Sequence, residues 1–579
     1  MPNMIQNAKD SISQILNAAY QKAAEKGELP AGAALSGTVE IPKDSANGDF
    51  AANHAMAGAK ALHMAPRKIA EALIANADLA DTWFASVEVA GPGFINFRLA
   101  DRWYADVLNA VTQEGADYGR SDIGHGQKVM VEFVSANPTG PMHMGNARGG
   151  VLGDALASVL DRAGYQVWRE FYVNDAGNQI EKFANSIDAR YQQLLLGEEQ
   201  VAFPEDGYHG DDIKDLAKLF YEANGDKYLT VPVAERHQAM AEFGLQRNIP
   251  KMQEDLRRYG IEYDQWFFES ELHESGYVAE SVQKLTDRGY TYEKDGALWL
   301  KTSQILAEQL LKAGKKQEEI DKLELKDDVL RRANGFYTYF AADIAYHRNK
   351  LEKRGFDKAI NVWGADHHGH VARLKGAMDA LGLDGEHRLD IVLMQLVKLT
   401  RNGEVVRMSK RTGKAISLTD LLDEIPVDAA RYFFNSRPES PVEFDLELAI
   451  RQDSENPVYY VQYAHARICT LLSALAAEGH TVPASADAAL LSTPEEKELI
   501  KQLAALPEEI RLAARDYDPS RINRYVTELA ARFHRFYTVC RIKGAESDVQ
   551  AARLLLADCV RRVIAVSLGI IGVTAPEKM

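Results

Sequence analysis

Residues 129–162 contain an apolar run, a turn rich in proline and glycine, and a long segment of helical periodicity, and this order constrains the fold strongly. The run 129–134 is apolar except for Glu132, which is typical of a buried parallel strand. Apolar residues then recur at helical spacing from Val151 to Leu160, and Gly164 is a natural helix terminator. Such a turn presents the free N–H groups of a helix to the space above it, where phosphate binds well. The sequence therefore predicts a nucleotide site at this turn.

Two residues of the turn are candidates for contact with the nucleotide. His143 stands where a hydrogen-bond donor could reach an anion. Gly145 leaves room for a flat ring to lie against the backbone.

A second segment, residues 396–414, predicts a hairpin followed by a basic loop. Asn402-Gly403 separates two alternating runs, which is the pattern of a tight hairpin turn. The loop that follows contains Gly413 between several lysines and arginines. A loop of this kind can bring an ammonium group to polyphosphate in the transition state, where positive charge raises the rate.

Length and pattern predict three regions in the 579 residues. Residues 1–115 are predicted to form a small α/β domain, with helices near 51–62 and 66–77. Residues 116–440 alternate strands and helices as a doubly wound, Rossmann-like parallel sheet does, with an insertion at about 190–300. Within that insertion, Asp295-Gly296 predicts a hairpin turn. Residues 441–579 are predicted to be all helical, with Pro494, Pro507 and Pro519 near helix starts.

Composition excludes several classes of protein. No window approaches the ~18 consecutive apolar residues of a membrane span. Cys469, Cys540 and Cys559 have neither zinc-site nor disulfide spacing, so a reducing cytoplasm and no structural metal are expected.

The net charge of −17 argues against non-specific binding of nucleic acid, but basic residues are grouped near the C-terminus. The arginines of this group are Arg521, Arg524, Arg532, Arg535 and Arg541. In the local sequence only Glu528 opposes them. An RNA-binding surface and a solvated helix face explain the group equally well.

Acidic residues in apolar company predict a pocket for a cation. Tyr339, Asp343 and His347 share one helical face, and Glu269 follows an aromatic cluster. A buried carboxylate needs a cation, either an internal lysine or arginine or a substrate. Two carboxylates suit a guanidinium, whose planar fork donates paired hydrogen bonds.

The turn and the basic loop resemble the paired motifs of the class I aminoacyl-tRNA synthetases. Residues 143–146 match the His-x-Gly-His turn, with Asn146 in place of the second histidine. Residues 407–410 match the Lys-Met-Ser-Lys loop, with Arg407 in place of the first lysine. Asparagine still donates a hydrogen bond and arginine keeps the charge, while Lys410, to which the family assigns catalytic work, is present.

At the pocket, the resemblance narrows to the arginyl-tRNA synthetases and covers essentially the whole chain. Further matches lie at residues 48–53, 90–97, 171–179, 362–370 and 463–467. The resemblance implies His143, Asn146 and Lys410 as catalytic residues. For ATP it implies Gly145, Gly364, Asp366, His370, Met408, Ser409 and Arg411, and for arginine it implies Asn137, Glu269, Tyr339 and Asp343. The five C-terminal arginines are then expected to bind tRNA. The resemblance also implies that residues 1–115 contact the tRNA and that residues 441–579 form an anticodon-binding domain.

The activity implied is an arginine–tRNA ligase, which forms arginyl-adenylate from L-arginine and ATP and transfers arginine to the 3′ end of its tRNA. Mg²⁺ is expected to enter with ATP, the protein is expected to be a cytoplasmic monomer, and no membrane partner is expected. Three alternatives stay open: a class I synthetase for another amino acid, a catalytically degenerate synthetase-like RNA-binding protein, and a small-molecule nucleotidyltransferase.

Overall fold

The computed structural model describes residues 3–365, 368–395, 397–406, 416–436 and 442–579. The first region is an antiparallel sheet covered by helices. Its elements are α1 (Met4–Glu25), β1 (Val39–Glu40), β2 (Phe50–Ala52), α2 (His54–Leu62), α3 (Pro66–Asn76), β3 (Phe84–Ala90), β4 (Phe94–Leu99) and α4 (Asp101–Glu114). The strand order is β1-β2-β4-β3, and each neighbouring pair is antiparallel. The short strand β2 occupies the start of the helix predicted at 51–62, because buried Phe50, Ala51 and Ala52 pair with β4.

The chain then enters the central region and its insertion. The elements are β5 (Lys128–Glu132), α5 (Met144–Arg162), β6 (Gln166–Val173), α6 (Asn178–Leu196), α7 (Asp211–Asn224), α8 (Val233–Arg258), β7 (Gln265–Phe268), α9 (Glu269–Glu274), α10 (Tyr277–Asp287), β8 (Thr291–Lys294), β9 (Ala297–Leu300), α11 (Thr302–Lys312), α12 (Gln317–Ile320), β10 (Asp328–Arg331) and α13 (Tyr339–Arg348). A π-helix at Asn349–Lys353 continues α13. The hairpin predicted at Asp295-Gly296 is confirmed, with both residues at positive φ between β8 and β9.

The remaining elements of this region complete the parallel sheet and add a small one. They are β11 (Lys358–Gly364), α14 (His368–Ala380), α15 (Gly385–Arg388), β12 (Leu389–Met394), β13 (Val397–Arg401), β14 (Glu404–Val405), α16 (Leu418–Glu424), α17 (Val427–Asn435) and β15 (Val442–Asp445). Asn402 and Gly403 have φ angles of 52° and 82° and join the antiparallel strands β13 and β14, which confirms the predicted hairpin.

The five-stranded sheet is parallel throughout, in the order β12-β11-β5-β6-β7. The strands after β5 extend in one direction and β11 and β12 extend in the other, so the order reverses between β5 and β11. Open parallel sheets bind ligands at the carboxyl ends of their strands at such a reversal. Strand β7 at Gln265–Phe268 lies within the predicted insertion of about 190–300 yet forms an edge of this sheet, because its residues pair with β6.

The prediction that residues 441–579 are all helical is wrong at its start, where β15 pairs in parallel with β13. From Leu446 onward the C-terminal region is helical. It comprises α18 (Leu446–Ile450), α19 (Pro457–Ala477), α20 (Pro494–Asp516), α21 (Ser520–Val539) and α22 (Ser547–Ile570). Pro494 begins α20 and Pro519 caps α21, but the prediction of a helix start at Pro507 is wrong, since Pro507 lies inside α20. Pro507 has no N–H for the carbonyl of Leu503, and the hydroxyl of Tyr118 donates to that carbonyl instead at 3.0 Å. A residue far away in the chain thus satisfies the backbone group that the proline leaves open.

Arg431 joins three parts of the chain. Its fully buried guanidinium donates to the carbonyls of Tyr259 at 3.0 Å and Ile571 at 3.2 Å and pairs with the carboxylate of Asp154. These partners follow α8, follow α22 and lie in α5. Because a buried charge is costly without partners, this contact ties the C-terminal helices to the helix that starts at the predicted nucleotide turn.

Candidate active site

The predicted nucleotide turn leaves the carboxyl end of β5 and enters α5. His143 caps this helix: its Nδ1 accepts from the N–H of Gly145 at 3.1 Å, and its own N–H donates to Oδ1 of Asn146 at 3.1 Å. Since Nδ1 accepts, the neutral ring carries its proton on Nε2, which is left to donate to an anion. A Cβ on Gly145 would lie 2.9 Å from Cε1 of His143, so the missing side chain makes room for the imidazole.

The basic loop ends close to this turn. Its preceding hairpin finishes at Val405, and the described chain resumes at residue 416. Ser417 forms a β-bridge with His143, and the N–H of Leu418 donates to the carbonyl of Met142 at 2.9 Å. The far end of the loop is therefore anchored beside the start of α5. Lys410, Met408, Ser409 and Arg411 lie outside the described residues.

Two further residues predicted to bind ATP are near the reversal of strand order. Gly364 ends β11, the strand beside β5, and pairs with Met394 of β12. The loop after Gly364 therefore leaves the same edge of the sheet as the turn at His143. His370 follows in the first turn of α14, whereas Asp366 lies outside the described residues.

Glu269 forms one wall of the predicted cation pocket. It is the first residue of α9 and is only 4% exposed. Its carboxylate accepts from the hydroxyl of Tyr172 at 2.8 Å and lies 3.3 Å from Nε2 of His273. The amide nitrogen of Asn174 also lies within 3.3 Å of it in the orientation that satisfies both amide atoms. No lysine or arginine pairs with Glu269 among the residues that the structure describes.

Asp343 and Tyr339, also predicted to line this pocket, lie on α13. The side chain of Asp343 is 35% exposed, and its Oδ2 lies 3.0 Å from Nε2 of His370. His370, predicted to bind ATP, therefore contacts a residue predicted to bind arginine. The half-exposed ring of Tyr339 packs near Gly177. Asn137, the fourth residue predicted for arginine, is exposed in the loop after β5.

Tyr172, which sequence analysis missed, brings the carboxylates together. Burial, followed by the negative charges of Glu269, Asp343 and Glu132, raises the pKa of Tyr172 well above its ordinary value. The hydroxyl is therefore a permanent donor, and the negative charges of three acidic residues from different elements act on it. An arrangement of this kind binds a cation and holds one carboxylate in a fixed orientation.

A buried polar network connects the pocket helix to β5, and it too was missed. Lys350, in the π-helix, is fully buried and pairs with Glu132. Its Nζ also donates to Oδ1 of Asn361 at 3.0 Å. His347 lies beside it, with Nδ1 2.8 Å from the carbonyl of Asp343 and Nε2 2.6 Å from Nδ2 of Asn361. Burial and the neighbouring Lys350 hold the pKa of His347 well below its ordinary value, so the ring is neutral.

This network supplies the cation that pairs with Glu132, the acidic residue of β5. Glu132 is paired internally with Lys350, whereas Glu269 and Asp343 are not paired with a lysine or arginine in the described ranges. Sequence alone gives no signal for Lys350, because a lysine in a helix is usually exposed.

The C-terminal arginines are more strongly opposed than their local sequence predicts. Helix α20 supplies carboxylates to three of them: Glu509 to Arg521 at 3.3 Å, Glu498 to Arg532 at 2.9 Å and Glu495 to Arg535 at 3.2 Å. Arg524 pairs with Asp518 at 2.8 Å, and Nε of Arg541 donates to the carbonyl of Lys543 at 2.9 Å. The expectation that only Glu528 opposes the group is therefore wrong, because α20 packs against α21 and supplies further carboxylates.

An aromatic platform lies on the same helical region. The rings of Tyr459 and Tyr463 stack at 6.1 Å, and His534 stacks on Tyr463 at 6.0 Å. The guanidinium of Arg467 lies over the ring of Tyr537 at 4.2 Å. These five residues, called the aromatic platform below, come from α19 and α21, and their spacing in α19 at 459, 463 and 467 was a sequence signal for a shared face.

Two structural findings bear on other partners. None of the helices in the described ranges is both long and apolar enough to cross a bilayer. No group of three or more histidine, cysteine or acidic side chains that could hold a metal ion occurs among the residues with described positions.

Three family models match consecutive parts of the chain. Residues 6–99 match the arginyl tRNA synthetase N terminal domain, and residues 107–442 match the catalytic domain of class I (R) tRNA synthetases. Residues 461–579 match the DALR anticodon binding domain. The catalytic model alone covers more than half of the chain. The chain belongs to the arginyl-tRNA synthetase family.

Relatives and solved structures agree with this assignment. An arginine–tRNA ligase of Acetivibrio thermocellus is 52% identical over 582 residues, and one of Caldanaerobacter subterraneus subsp. tengcongensis is 54% identical over the same length, each with full coverage of both chains. A solved Campylobacter jejuni chain described as an arginyl-tRNA synthetase is 33% identical and covers 83% of this chain and 100% of its own, with a TM-score of 0.73. The Thermus thermophilus arginyl-tRNA synthetase, at 21% identity over 98% of this chain and 100% of its own and a TM-score of 0.72, shares the fold.

Proposed function

We propose that arginine activation takes place at the carboxyl edge of the five-stranded sheet, with ATP at the β5–α5 turn and the guanidinium between Glu269 and Asp343. As a member of the arginyl-tRNA synthetase family, the chain is an ATP-dependent ligase that joins arginine to tRNA. The observation that carries the site assignment is a pair of carboxylates on α9 and α13: Glu269 accepts from the hydroxyl of Tyr172 at 2.8 Å, and Asp343 lies 3.0 Å from His370. The charges of both carboxylates raise the pKa of Tyr172. Neither has an internal lysine or arginine partner in the described part of the chain, so both are available to a cationic substrate.

The reaction has two steps. A carboxylate oxygen of arginine attacks the α-phosphorus of ATP, and the bond to pyrophosphate breaks to leave arginyl-adenylate. A ribose hydroxyl at the 3′ end of the tRNA then attacks the adenylate carbonyl, loses its proton, and displaces AMP. Both steps require positioning and stabilisation of charge, and neither requires a protein nucleophile.

The nucleotide roles follow from the turn and its anchored loop. We assign His143, Asn146 and Lys410 to the triphosphate, because Nε2 of His143 is free to donate and the loop that carries Lys410 ends beside it. Gly145, Gly364 and Asp366 would contact the adenosine, with Met408, Ser409 and Arg411 from the loop. His370 lies at the boundary between the nucleotide and Asp343, where it can orient the carboxylate.

The arginine roles follow from charge and shape. Glu269 and Asp343 would each accept hydrogen bonds from the guanidinium, and Tyr339 would lie along its plane. Asn137 would hold the backbone groups of the amino acid. Lysine lacks the planar fork and citrulline lacks the charge, and buried acceptors left unpaired cost such analogues ~10⁴ in rate, so no editing site is required.

The tRNA would lie across the helical C-terminal region. The family model there is described as an anticodon binding domain, and the aromatic platform offers stacking faces and one guanidinium to unpaired bases. The five arginines at 521–541 would make weaker, outer contacts, because carboxylates already offset most of their charge.

We propose further that the enzyme is a cytoplasmic monomer divided at 1–115, 116–440 and 441–579. Mg²⁺ would arrive on the phosphates of ATP, since acidic groups that could hold it on their own do not occur among the described residues.

The test is arginine-dependent exchange of pyrophosphate into ATP by the purified chain, with and without bulk tRNA and with the other amino acids as controls. Exchange with arginine and no other amino acid supports the proposed pocket. Exchange with a different amino acid instead would show that Glu269 and Asp343 do not read a guanidinium.

A further inference from the structure

The most exposed large apolar side chain among the described residues lies just before the arginine pocket. Phe336 is 70% exposed, whereas the next such side chain, Val539, is 58% exposed. A single exposed apolar residue is ordinary on a protein surface. Two further features, the position of this ring and the rigidity of the turn that carries it, indicate a binding role.

The turn that carries Phe336 is held by its own backbone. The N–H of Arg332 donates to the carbonyl of Phe336 at 2.9 Å, and the N–H of Gly335 donates to the carbonyl of Arg332 at 2.9 Å. The side chain of Asn334 accepts from the N–H of Phe336 at 3.2 Å, and Gly335 has a φ of 89°, which glycine adopts without strain. The ring is therefore presented to solvent by a fixed turn, which lowers the entropy cost of binding to it.

The same turn leads directly into the pocket. Thr338 caps α13, and its N–H and hydroxyl donate to the carbonyls of Leu330 at 2.9 Å and Val329 at 2.7 Å. Tyr339 is the next residue, so Phe336 lies within about 10 Å of it along the chain. Phe336 and Tyr339 are therefore neighbouring exposed rings on the segment that enters α13.

Positive charge accompanies the ring. Arg332 is exposed and makes no ion pair within the described part of the chain. Arg331 has only a loose contact of 3.8 Å with Glu293. An exposed aromatic ring and an arginine without an ion pair in the described residues, both on one turn, are the combination that binds a nucleotide base and its phosphate.

We propose that Phe336 is the stacking platform for the 3′-terminal base of the tRNA, with Arg332 beside the terminal phosphate. This inference rests on the proposed placement of arginine between Glu269 and Asp343. The ribose hydroxyl of the terminal nucleotide must reach the adenylate carbonyl, so its base must lie at the mouth of this pocket. Stacking would hold that nucleotide in position for arginine transfer. It depends on the terminal base and not on the rest of the tRNA.

The test compares two RNAs and three variants. The RNAs are the full-length tRNA and the same tRNA without its terminal nucleotide. The variants are Phe336→Ala, Phe336→Trp, and Tyr221→Ala as a control that removes a 41% exposed ring from α7. Direct tRNA binding, the KM for tRNA in arginine transfer, and arginine-dependent pyrophosphate exchange at saturating tRNA are measured for each.

For Phe336→Ala we expect the KM for full-length tRNA to rise about tenfold or more, the loss typical of one base–aromatic stack. Phe336→Trp and Tyr221→Ala are expected to stay within about twofold of the unaltered protein, because each keeps a ring at position 336. Binding of the truncated tRNA should be the same in all proteins, and the KM for arginine in the exchange reaction should not change.

Two results would overturn the inference: an unchanged KM and affinity for full-length tRNA in Phe336→Ala, or an equal loss of affinity for the truncated tRNA. A failure of the proposed function looks different, because the unaltered protein would then show no arginine-dependent exchange.

Discussion

Glu269 and Asp343 differ in burial, and we therefore expect them to contribute differently to arginine binding. Glu269 is almost fully buried and accepts a hydrogen bond from the hydroxyl of Tyr172, which holds its carboxylate in one orientation. Asp343 is one-third exposed and contacts His370. A buried carboxylate raises the selectivity of a site because it is costly to leave without a cation. In the proposed pocket, Glu269 would therefore provide geometric discrimination, and Asp343 would add charge where the substrate enters.

Lys410→Ala is expected to lower kcat by ~10²–10³ and to change the KM for arginine little. The reason is that a loop lysine stabilises the charge that develops on the phosphates in the transition state. Steady-state pyrophosphate exchange, with Lys414→Ala as the control in the same basic segment, measures both constants. A rise in KM without a fall in kcat would show that Lys410 only binds ATP.

At the level of single residues, sequence patterns located the side chains to which we assign chemistry and missed those that hold them in place. His143, Glu269 and Asp343 stand at positions that a turn or an aromatic cluster marks in the sequence. Tyr172 and Lys350 act through contacts with residues about a hundred or more positions away in the chain, at Glu269 and Glu132. Only the packing of α9 and the π-helix against the sheet brings these pairs together.

The π-helix after α13 is the element that links the arginine pocket to the nucleotide strand. It directs Lys350 into the protein against Glu132, while His347 on the preceding turn bonds to Asn361 and to the carbonyl of Asp343. Single-turn π segments inside helices frequently occur at functional sites. Here the segment fixes the backbone from which Asp343 projects.

The stability of α13 and the π-helix that follows it should fall at acid pH. The pKa of His347 is lowered by burial and by Lys350, so the unfolded chain binds a proton near pH 6.5 that the folded chain does not. The contribution of His347 to stability is therefore complete above about pH 6.5 and falls below it, by at most about 1.4 kcal/mol per pH unit. Hydrogen exchange of residues 339–353 at pH 7.5 and pH 5.5 measures the effect.

His347→Gln is neutral at both pH values and should remove the extra acid sensitivity of this segment. His63→Gln, at an exposed position in the first region, is the control and should leave it intact. Equal acid sensitivity in the His347→Gln protein would assign the effect to another group.

For the whole molecule, alternation of strands and helices predicted the doubly wound sheet, the small first region and the helical end. The extent of the insertion was harder to predict, because the four residues of β7 look like part of an excursion until they pair with β6. The predicted helix start at Pro507 was wrong for a similar reason, since the hydroxyl that replaces the missing N–H of Pro507 comes from Tyr118. Long-range partners decide such cases, and local patterns do not contain them.

In the C-terminal region, we expect the aromatic platform to contribute more to tRNA binding than the exposed arginines. Tyr463→Ala removes the central ring of the aromatic platform and should weaken tRNA binding about tenfold or more. Arg535→Ala removes a side chain that is 74% exposed but already paired with Glu495, and it should cost less than about threefold. Filter binding at fixed salt measures both, and the reverse order would move the tRNA surface to the arginines.

The most direct test of the account is the ratio of kcat/KM for arginine to that for citrulline, in the unaltered protein and in Asp343→Asn at saturating tRNA. The substitution keeps the shape of the side chain and removes its charge. We predict a preference for arginine of ~10⁴ in the unaltered protein and a loss of most of it in a variant that remains folded, because the proposed pocket recognises charge as well as shape. An Asp343→Asn protein that activates arginine as efficiently and as selectively as the unaltered chain would contradict the assignment of this pocket.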